Sequence, residues 1–523
     1  MSDTAPAKPP EYPDKIDAAV LKIAGVVVLG SIMSILDITV VNVALPTFQT
    51  ELGVENYSTV AWTVTAYTLA LAAVIPLTGW AADRFGTKRL YMLALALFTA
   101  GSVLCAAAWN IETLIGFRVL QGLGGGMLMP LGMTIMTKAA GPERMGRLMA
   151  ILGVPMLLGP ILGPILGGFL IDNASWHWIF LINLPLGLGA LVYAWRVLEQ
   201  DAPHPSESFD FVGMALMSPG LALFLYGVSS IPDAGGMGEP KVWATMLVGG
   251  LLVAAFIVYS FKPQHPLLDF RLFTNYNLSI STLTMFIFAG AFFGGLLLVP
   301  TFFQQVGGET PLKAGLLVAP QGIGAMLTMP VAGILADRFP VGRIVPFGLA
   351  LICGGMFALT SIEADTAYGF IIGALFVMGL GMGLTMMPLM TSALRTLKSH
   401  EVARGSTLLN ISQQIASSVG VAIISVVLTN QMKDSRAVQA AQALANAEAA
   451  KEQPASSVLE YVQSLGGRFE SVVSSDMASA FAASFMVAFS LCVVALVVSL
   501  FLPKRREESH LLDDQGRAPV VIH

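Results

Sequence analysis

The most constraining feature of this chain is a series of long apolar segments, each about as long as a membrane-spanning helix. The hydrocarbon core of a bilayer is roughly 30 Å thick, which an α-helix crosses in about 20 residues. Of the 523 residues only 12% are charged and 55% are hydrophobic. Backbone amides find no water in lipid, so these segments are predicted to be helices. The predicted fold class is an all-α integral membrane protein with fourteen spans, at residues 21–45, 59–81, 90–108, 113–136, 148–171, 178–196, 211–230, 242–261, 278–303, 314–336, 343–361, 368–391, 405–430 and 477–502.

The basic residues between the spans provide a check on that count. With a cytoplasmic N-terminus, the six short outer connections hold only Lys241 and Lys313, whereas the inner loops and both tails are rich in Lys and Arg. This is the distribution that the positive-inside rule requires. We therefore predict a multi-pass protein of the cell membrane with both termini cytoplasmic. The first apolar segment is too long for a cleaved signal peptide and is expected to remain as an anchor.

A short repeat divides the chain into two related halves. Residues 76–89, PLTGWAADRFGTKR, align without a gap with residues 330–343, PVAGILADRFPVGR. Internal symmetry of this kind is typical of secondary transporters. We expect six plus two plus six helices, with a short interfacial helix within 262–277. The predicted divisions are a cytoplasmic tail at 1–19, a six-helix half at 20–198, a linker with two inserted helices at 199–262, a second half at 263–502 that includes an outer loop at 431–475, and a cytoplasmic tail at 503–523.

A carboxylic acid lies near the middle of the first span, within LDITVVNVALP. One arc of this helix, about 140° wide, carries the polar residues Ser31, Ser34, Asp37 and Asn42, and is expected to face the bundle interior or a water-filled cavity. The other unambiguous mid-span charge is Arg118. Two interpretations stay open, a permanent structural ion pair or a proton site. Desolvation favours the neutral acid and a nearby arginine favours the carboxylate, so a carboxylate that gains and loses Arg118 could load and release a proton.

Five motifs, in this order, resemble those of the major facilitator superfamily, and within it the fourteen-span drug/proton antiporters of the EmrB/QacA type. They are LDITVVNVALP in span 1, GWAADRFGTKR after span 2, RVLQGLGGG in span 4, GPILGPILGG in span 5 and WHWIFLINLPLG entering span 6. The resemblance covers residues 20–502. It implies the major facilitator fold and proton-linked roles for Asp37 and Arg118. It also implies that the span-5 motif marks an antiporter, although close helix packing is a second role for Gly159, Pro160, Gly163, Gly167 and Gly168.

The loop after span 2 carries the residues of a candidate gate, Gly79, Asp83, Arg84, Gly86 and Arg89. The simpler interpretation is ordinary charge that sets the membrane topology. As a gate, Asp83 would lie against the positive N-terminal end of another helix, for example span 13 near Gly405, and would close the inner side. The second copy keeps Asp337 and Arg338 but departs from the motif at Pro340, so a gating role for that copy stays open.

Polar and aromatic residues on the helices predicted to line a cavity are candidates for substrate contact, with packing as the alternative for each. They are Asn42, Trp62, Tyr67, Gln121, Asn410, Gln413 and Gln414. The sequence has no mid-span histidine, HExxH motif, paired mid-span acids or P-loop, so we expect no enzyme activity, metal or ATP dependence.

We therefore expect export of amphipathic, often cationic, drugs or metabolites in exchange for protons. The proton gradient would be the energy source, with no cofactor. The expected partners are a small substrate, protons and membrane lipids, without nucleic acid. A dedicated exporter of a single lipid-like, peptide or antibiotic metabolite, a symporter, and use of a periplasmic adaptor are alternatives that the residues leave open.

Overall fold

The computed structural model is helical throughout the part of the chain that it describes, with no strand there. It describes residues 17–54, 57–140, 145–199, 209–231, 238–263, 266–398, 401–450 and 453–505. Thirteen of the described helical segments are long and apolar enough to cross a membrane. A further helix of 29 residues, Met145–Asn173, lies where the fifth span was predicted. The all-α membrane class is confirmed, and the helices are consistent with fourteen spans.

The first half contains the helices of the first six predicted spans. Its sixth span is broken at Ile182 into two helices that continue one another. Prolines lie inside several spans, for example Pro76 and Pro130, and neighbouring helices make them tolerable in lipid. The helices are α1 (Ala18–Glu51), α2 (Tyr57–Phe85), α3 (Thr87–Ala106), α4 (Ile111–Ala140), α5 (Met145–Asn173), α6 (His177–Leu181) and α7 (Asn183–Val197).

Two inserted helices and the second half follow. The insert begins at Asp210, whose carboxylate accepts hydrogen bonds from the backbone N–H groups of Gly213 at 2.7 Å and Leu267 at 3.1 Å, so one acid fixes both ends of the insert. The helices are α8 (Phe211–Ser230), α9 (Pro240–Ser260), α10 (Tyr276–Gln305), α11 (Pro311–Arg338), α12 (Val341–Leu359), α13 (Tyr368–Arg395), α14 (Val402–Asp434), α15 (Arg436–Ala450), α16 (Ser456–Leu465) and α17 (Phe469–Ser499).

The packing repeats between the halves. In the first half α2 and α3 pack on α4, and α1 packs on α5; in the second half α11 and α12 pack on α13, and α10 packs on α14. Across the interface α5 packs on α11 and α14 packs on α2, while α8 of the insert contacts both α2 and α14. We call the end at which α2 and α11 finish the inner end. The basic loops predict that this end faces the cytoplasm.

Several local expectations differ from the structure. The helices α1 and α14 run beyond the predicted spans at both ends, and α17 begins before its predicted span, because hydropathy marks only the lipid-length part of a helix and not its polar extension. The expected interfacial helix is only a five-residue 3-10 turn, Phe270–Thr274, started by the Asp269 carboxylate. The outer segment after α14, predicted as a loop, contains the short helices α15 and α16.

Candidate functional site

Asp37 and Arg118 meet inside the first half. Asp37 on α1 is 2% exposed and Arg118 on α4 is fully buried. The Arg118 Nη1 donates to Asp37 Oδ2, and Arg118 Nε donates to the carbonyl of Thr63 on α2 at 3.0 Å. The guanidinium therefore joins α1, α2 and α4 at one point. A buried charge pair of this kind has to be held by further hydrogen bonds, since each charge has lost its hydration.

Gln121 supplies those bonds, one helical turn after Arg118. Its Nε2 donates to Asp37 Oδ1 at 2.7 Å, and its Oε1 accepts from Arg118 Nη1 at 2.8 Å. The three side chains thus form a closed ring in which both carboxylate oxygens accept a hydrogen bond. Gln121 was expected to line a substrate cavity, but the structure places it, fully buried, against the ion pair.

The polar network extends from Gln121 to the sixth span. The second Gln121 amide hydrogen points to Ser102 Oγ on α3 at 3.1 Å. Asn183 Nδ2 on α7 donates to the same oxygen at 3.0 Å, and Ser102 Oγ donates to the Phe180 carbonyl on α6 at 3.0 Å. Ser102 and Asn183 were not among the predicted site residues, because their only signal in the sequence is that they are polar residues in apolar spans. The network connects the ion pair to the break between α6 and α7.

An aromatic ring covers the guanidinium. Arg118 Cζ lies 4.1 Å from the centroid of the Tyr67 ring, which is a cation–π distance. The Tyr67 hydroxyl lies 3.0 Å from Ser34 Oγ on α1, so this cavity candidate also belongs to the ion-pair site. Arg118 Nη2 is buried without a hydrogen-bond partner among the described residues. One donor of the site is therefore available to a water molecule or to a polar group that enters.

Small residues allow these helices to approach. A Cβ at Gly122 would lie 2.5 Å from the Tyr67 carbonyl, and a Cβ at Gly163 would lie 2.1 Å from Thr39 Oγ1. Thr39 Oγ1 also donates to the Gly159 carbonyl on α5 at 3.1 Å. The span-5 glycines thus pack α5 directly on the helix that carries the acid. Gly167 lies in the same contact, whereas Gly168 faces open space and the side chain of Pro160 is outside the described residues.

Two ion pairs join the halves at the inner end. Asp83 Oδ2 on α2 lies 3.8 Å from Arg404 Nε at the start of α14. Asp337 Oδ2 on α11 lies 3.0 Å from Arg147 Nε at the start of α5. Asp83 and Asp337 are equivalent positions of the repeat, so the two pairs are related by the pseudo-symmetry of the halves. Asp83 therefore meets the helix anticipated for a gate, and the second copy makes a corresponding contact.

Other contacts between the halves lie near these pairs. Ser406 Oγ on α14 is 3.0 Å from Thr134 Oγ1 on α4. A Cβ at Gly79 would meet α14, with the carbonyl of Ala403 at 3.5 Å. Gly86 has φ of 87° at the start of α3, a backbone conformation that favours glycine. Arg84 is half-buried and Arg89 is exposed. The inner end is closed by packing as well as by charge.

The remaining cavity candidates lie apart from the ion pair. Trp62 stacks on Tyr226 of the insert, with ring centroids 5.4 Å apart. Asn410 donates to the Ser406 carbonyl at 2.7 Å, where α14 meets α4. Asn42 is exposed, and Gln413 and Gln414 on α14 are half-buried. The structure thus brings Tyr67 and Gln121 to Asp37 and leaves the other candidates at separate places.

Two pseudo-symmetric halves of membrane helices, a buried ion-paired acid and a closed inner end are together typical of polytopic membrane transporters. The chain belongs to the Major Facilitator Superfamily, whose sequence profile matches residues 27–421. It is 45% identical over 513 residues to the Multidrug resistance protein B homolog of Mycobacterium tuberculosis, covering 98% of this chain and 94% of that protein. It is 29% identical over 406 residues to the Multidrug export protein EmrB of Escherichia coli, covering 77% and 79%.

Solved structures agree on the fold. The proton:xylose symporter XylE matches with a TM-score of 0.57 and 15% sequence identity, over 96% of this chain and 99% of that one. The human organic anion transporter MFSD10 matches with a TM-score of 0.57 and 16% identity, over 92% and 100%. At such low identity these matches describe the arrangement of helices only.

Proposed function

We propose that this transporter exports amphipathic, often cationic, small molecules across the cell membrane in exchange for protons, with Asp37 as the proton-carrying group. The observation that carries the proposal is the fully enclosed Asp37–Arg118–Gln121 ring. The names of the related multidrug proteins support the substrate class. The proton gradient supplies the energy, since one proton moving down the membrane potential releases about 2.3 kcal/mol per 100 mV.

Protonation of Asp37 would change this ring in a defined way. A neutral carboxyl no longer neutralises Arg118, and an uncompensated buried charge costs about 3–5 kcal/mol. Arg118 must then find water or another acceptor, and its buried Nη2 is already without a partner among the described residues. Opening the site to water, or admitting a substrate with an acceptor group, relieves that cost. Proton binding and a change of access are coupled by this shared charge.

The packing of α5 offers a route from the acid to the gate. The Thr39 hydroxyl, two residues after Asp37, donates a hydrogen bond to the Gly159 carbonyl of α5. The inner end of the same helix holds Arg147, which pairs with Asp337 in the other half. We propose that a shift of α1 on α5 loosens this pair and the related Asp83–Arg404 pair, which opens the inner end to the cytoplasm.

The test is substrate-driven proton movement in proteoliposomes, with wild-type protein and Asp37→Asn. We expect Asp37→Asn to bind hydrophobic cations but to lose coupled proton flux. Asp210→Asn is the matched control, because Asp210 is also a buried acid with several donors but lies in the insert. Undiminished coupled flux in Asp37→Asn would overturn the assignment. Several unrelated dyes are assayed, since a response to one compound alone would indicate a dedicated exporter.

A further inference from the structure

Two cysteines on different helices of the second half lie in contact within the membrane-spanning part of the protein. Cys353 belongs to α12 and Cys492 to α17, and the Cys353 thiol donates to the Cys492 sulfur at 3.2 Å. Cys353 is 7% exposed and Cys492 is fully buried. The third free cysteine, Cys105, donates its thiol proton to Gln121 Oε1 at 3.5 Å instead. The fold therefore places two of the three sulfur atoms side by side.

The packing of α12 against α17 holds this pair in register. At the inner end the Gly342 N–H of α12 donates to the Pro503 carbonyl, just after α17, at 3.0 Å. One helical turn beyond the cysteines, the rings of Phe357 and Phe489 pack with their centroids 5.4 Å apart. These contacts pair rising positions of α12 with falling positions of α17, as antiparallel helices require. The two sulfur atoms are thus kept together by contacts on both sides of them.

A disulfide fits this geometry better than a shared metal ion. A thiolate sulfur lies about 2.3 Å from zinc, so two sulfurs on one tetrahedral ion are about 3.8 Å apart. The described residues also contain no group of three or more His, Cys, Asp or Glu side chains that could hold a metal. A disulfide needs the sulfurs at about 2 Å, an approach of about 1.2 Å that two side chains share. We propose that Cys353 and Cys492 form a disulfide inside the membrane when a small neutral peroxide enters the bilayer.

The reaction balances with hydrogen peroxide as the oxidant. The deprotonated sulfur of Cys353, the more exposed of the two, attacks one peroxide oxygen, the O–O bond breaks, and the leaving hydroxide takes up the thiol proton as water. The Cys492 sulfur then attacks the sulfenic sulfur, the S–S bond forms, and the S–O bond breaks to release a second water. Each sulfur loses one electron and the peroxide gains both. Burial keeps the thiolate fraction low, so the first step is slow, whereas the second step joins groups that are already in contact.

The disulfide would lie entirely within the second half. Helix α12 packs on α13, and α17 packs on α10 and α14. The bond would join positions 139 residues apart in the sequence and would fasten the last helix to its own half. It would not cross the contacts between α5 and α11 or between α2 and α14. The proposal stands independently of the transported substrate.

The test cuts the chain between the two cysteines and asks whether a covalent bond still joins the pieces. A protease recognition site is inserted between Gly466 and Gly467, where the chain is exposed and a side chain would meet open space. The full chain in detergent is treated with hydrogen peroxide, desalted, cut, denatured with N-ethylmaleimide to block the remaining thiols, and run on a non-reducing gel. We expect most oxidised chains to run at full length and to separate into two pieces after dithiothreitol.

Single variants assign the bond to its two sulfurs. Cys353→Ser and Cys492→Ser should each separate into two pieces after oxidation, and either variant is sufficient if the other does not fold. Cys105→Ser is the matched control, because it removes a buried thiol whose neighbour is an oxygen. The oxidised pieces of this control should remain joined.

Three results would overturn the proposal. Separation of the wild-type pieces at every peroxide dose would show that the two thiols do not react with one another. A bond that persists in Cys353→Ser would assign the partner of Cys492 to Cys105. Joined pieces that dithiothreitol does not separate would show that the bond is not a disulfide.

Discussion

Breaking the Asp337–Arg147 ion pair is expected to shift the resting balance of this transporter away from the inner-closed state. The substitution Asp337→Asn keeps the shape of the side chain and removes its charge. The pair joins the two halves with a 3.0 Å contact between Arg147 Nε and Asp337 Oδ2. Any state in which α5 and α11 separate at the inner end must give up this contact, so its loss destabilises the closed state selectively.

The magnitude follows from burial. Arg147 is 27% exposed and Asp337 is 7% exposed. Exposed pairs contribute about 0.2–1 kcal/mol, and breaking a fully buried pair costs about 3–5 kcal/mol. A partly buried pair lies between them, at about 2 kcal/mol, which is roughly a thirtyfold change in the closed-to-open ratio. The Asp83–Arg404 pair is longer, at 3.8 Å, and its loss should change that ratio about fivefold, for about 1 kcal/mol.

The assay is a distance measurement between spin labels at Arg196→Cys and Arg343→Cys, exposed inner-end positions in opposite halves. The native cysteines are buried, so labelling is selective for the introduced ones. Asp337→Asn should increase the long-distance population. The exchange Arg147→Asp with Asp337→Arg should restore the short one. Glu199→Gln removes an exposed charge at the same end and serves as control. Equal populations in Asp337→Asn and the control would refute the reasoning.

Three further outcomes are expected. Gly163→Ala should lower the free energy of unfolding by about 1–3 kcal/mol, because the new methyl group overlaps the Thr39 side chain of α1. Gly168→Ala should leave the free energy of unfolding unchanged, because the space around Gly168 is open. Gln121→Leu should cost about 1–3 kcal/mol, since a carboxylate oxygen loses its donor, and should abolish proton coupling in proteoliposomes; retained coupling would contradict its place in the ring. The hydrogen bond from Lys313 lowers the pKa of Glu309 at the outer end, so its stabilisation is present above the unfolded value of about 4.3 and is lost as pH falls below it. A thermal melting series from pH 7 to 3 should show this acid-side loss reduced in Glu309→Gln.

The ion pair itself could be predicted from the sequence. Asp37 and Arg118 are charges at mid-span depth, and each is the natural partner of the other. Gln121 carried a usable signal as well, because residues three apart share a helix face and Gln121 lies three after Arg118. Its polarity alone does not distinguish a role beside the ion pair from contact with a substrate.

The partners further away could not be predicted in the same manner. Ser102 and Asn183 are isolated polar residues whose contact depends on how α3 and α7 pack, 81 residues apart. Arg147 and Arg404 looked like ordinary loop charge, yet both stand at the start of the fifth helix of their half. The repeat relates Asp83 to Asp337 but covers only residues 76–89 and 330–343, so it does not include the two arginines. The helix ends could not be predicted because hydropathy reports only the apolar part of each helix. The backbone hydrogen bonds of the helix continue into the polar residues beyond that part.

The insert has a mechanical consequence. Helix α8 lies against α2 of one half and α14 of the other, with Trp62 stacked on Tyr226 and an apolar cluster of Val228, Ile231, Val242 and Ala422. It therefore bridges the two halves on the side where α2 meets α14, whereas the halves meet on another side through α5 and α11. The two sides of the interface between the halves are therefore not equivalent, and we expect any relative motion of the halves to be smaller on the side that α8 bridges.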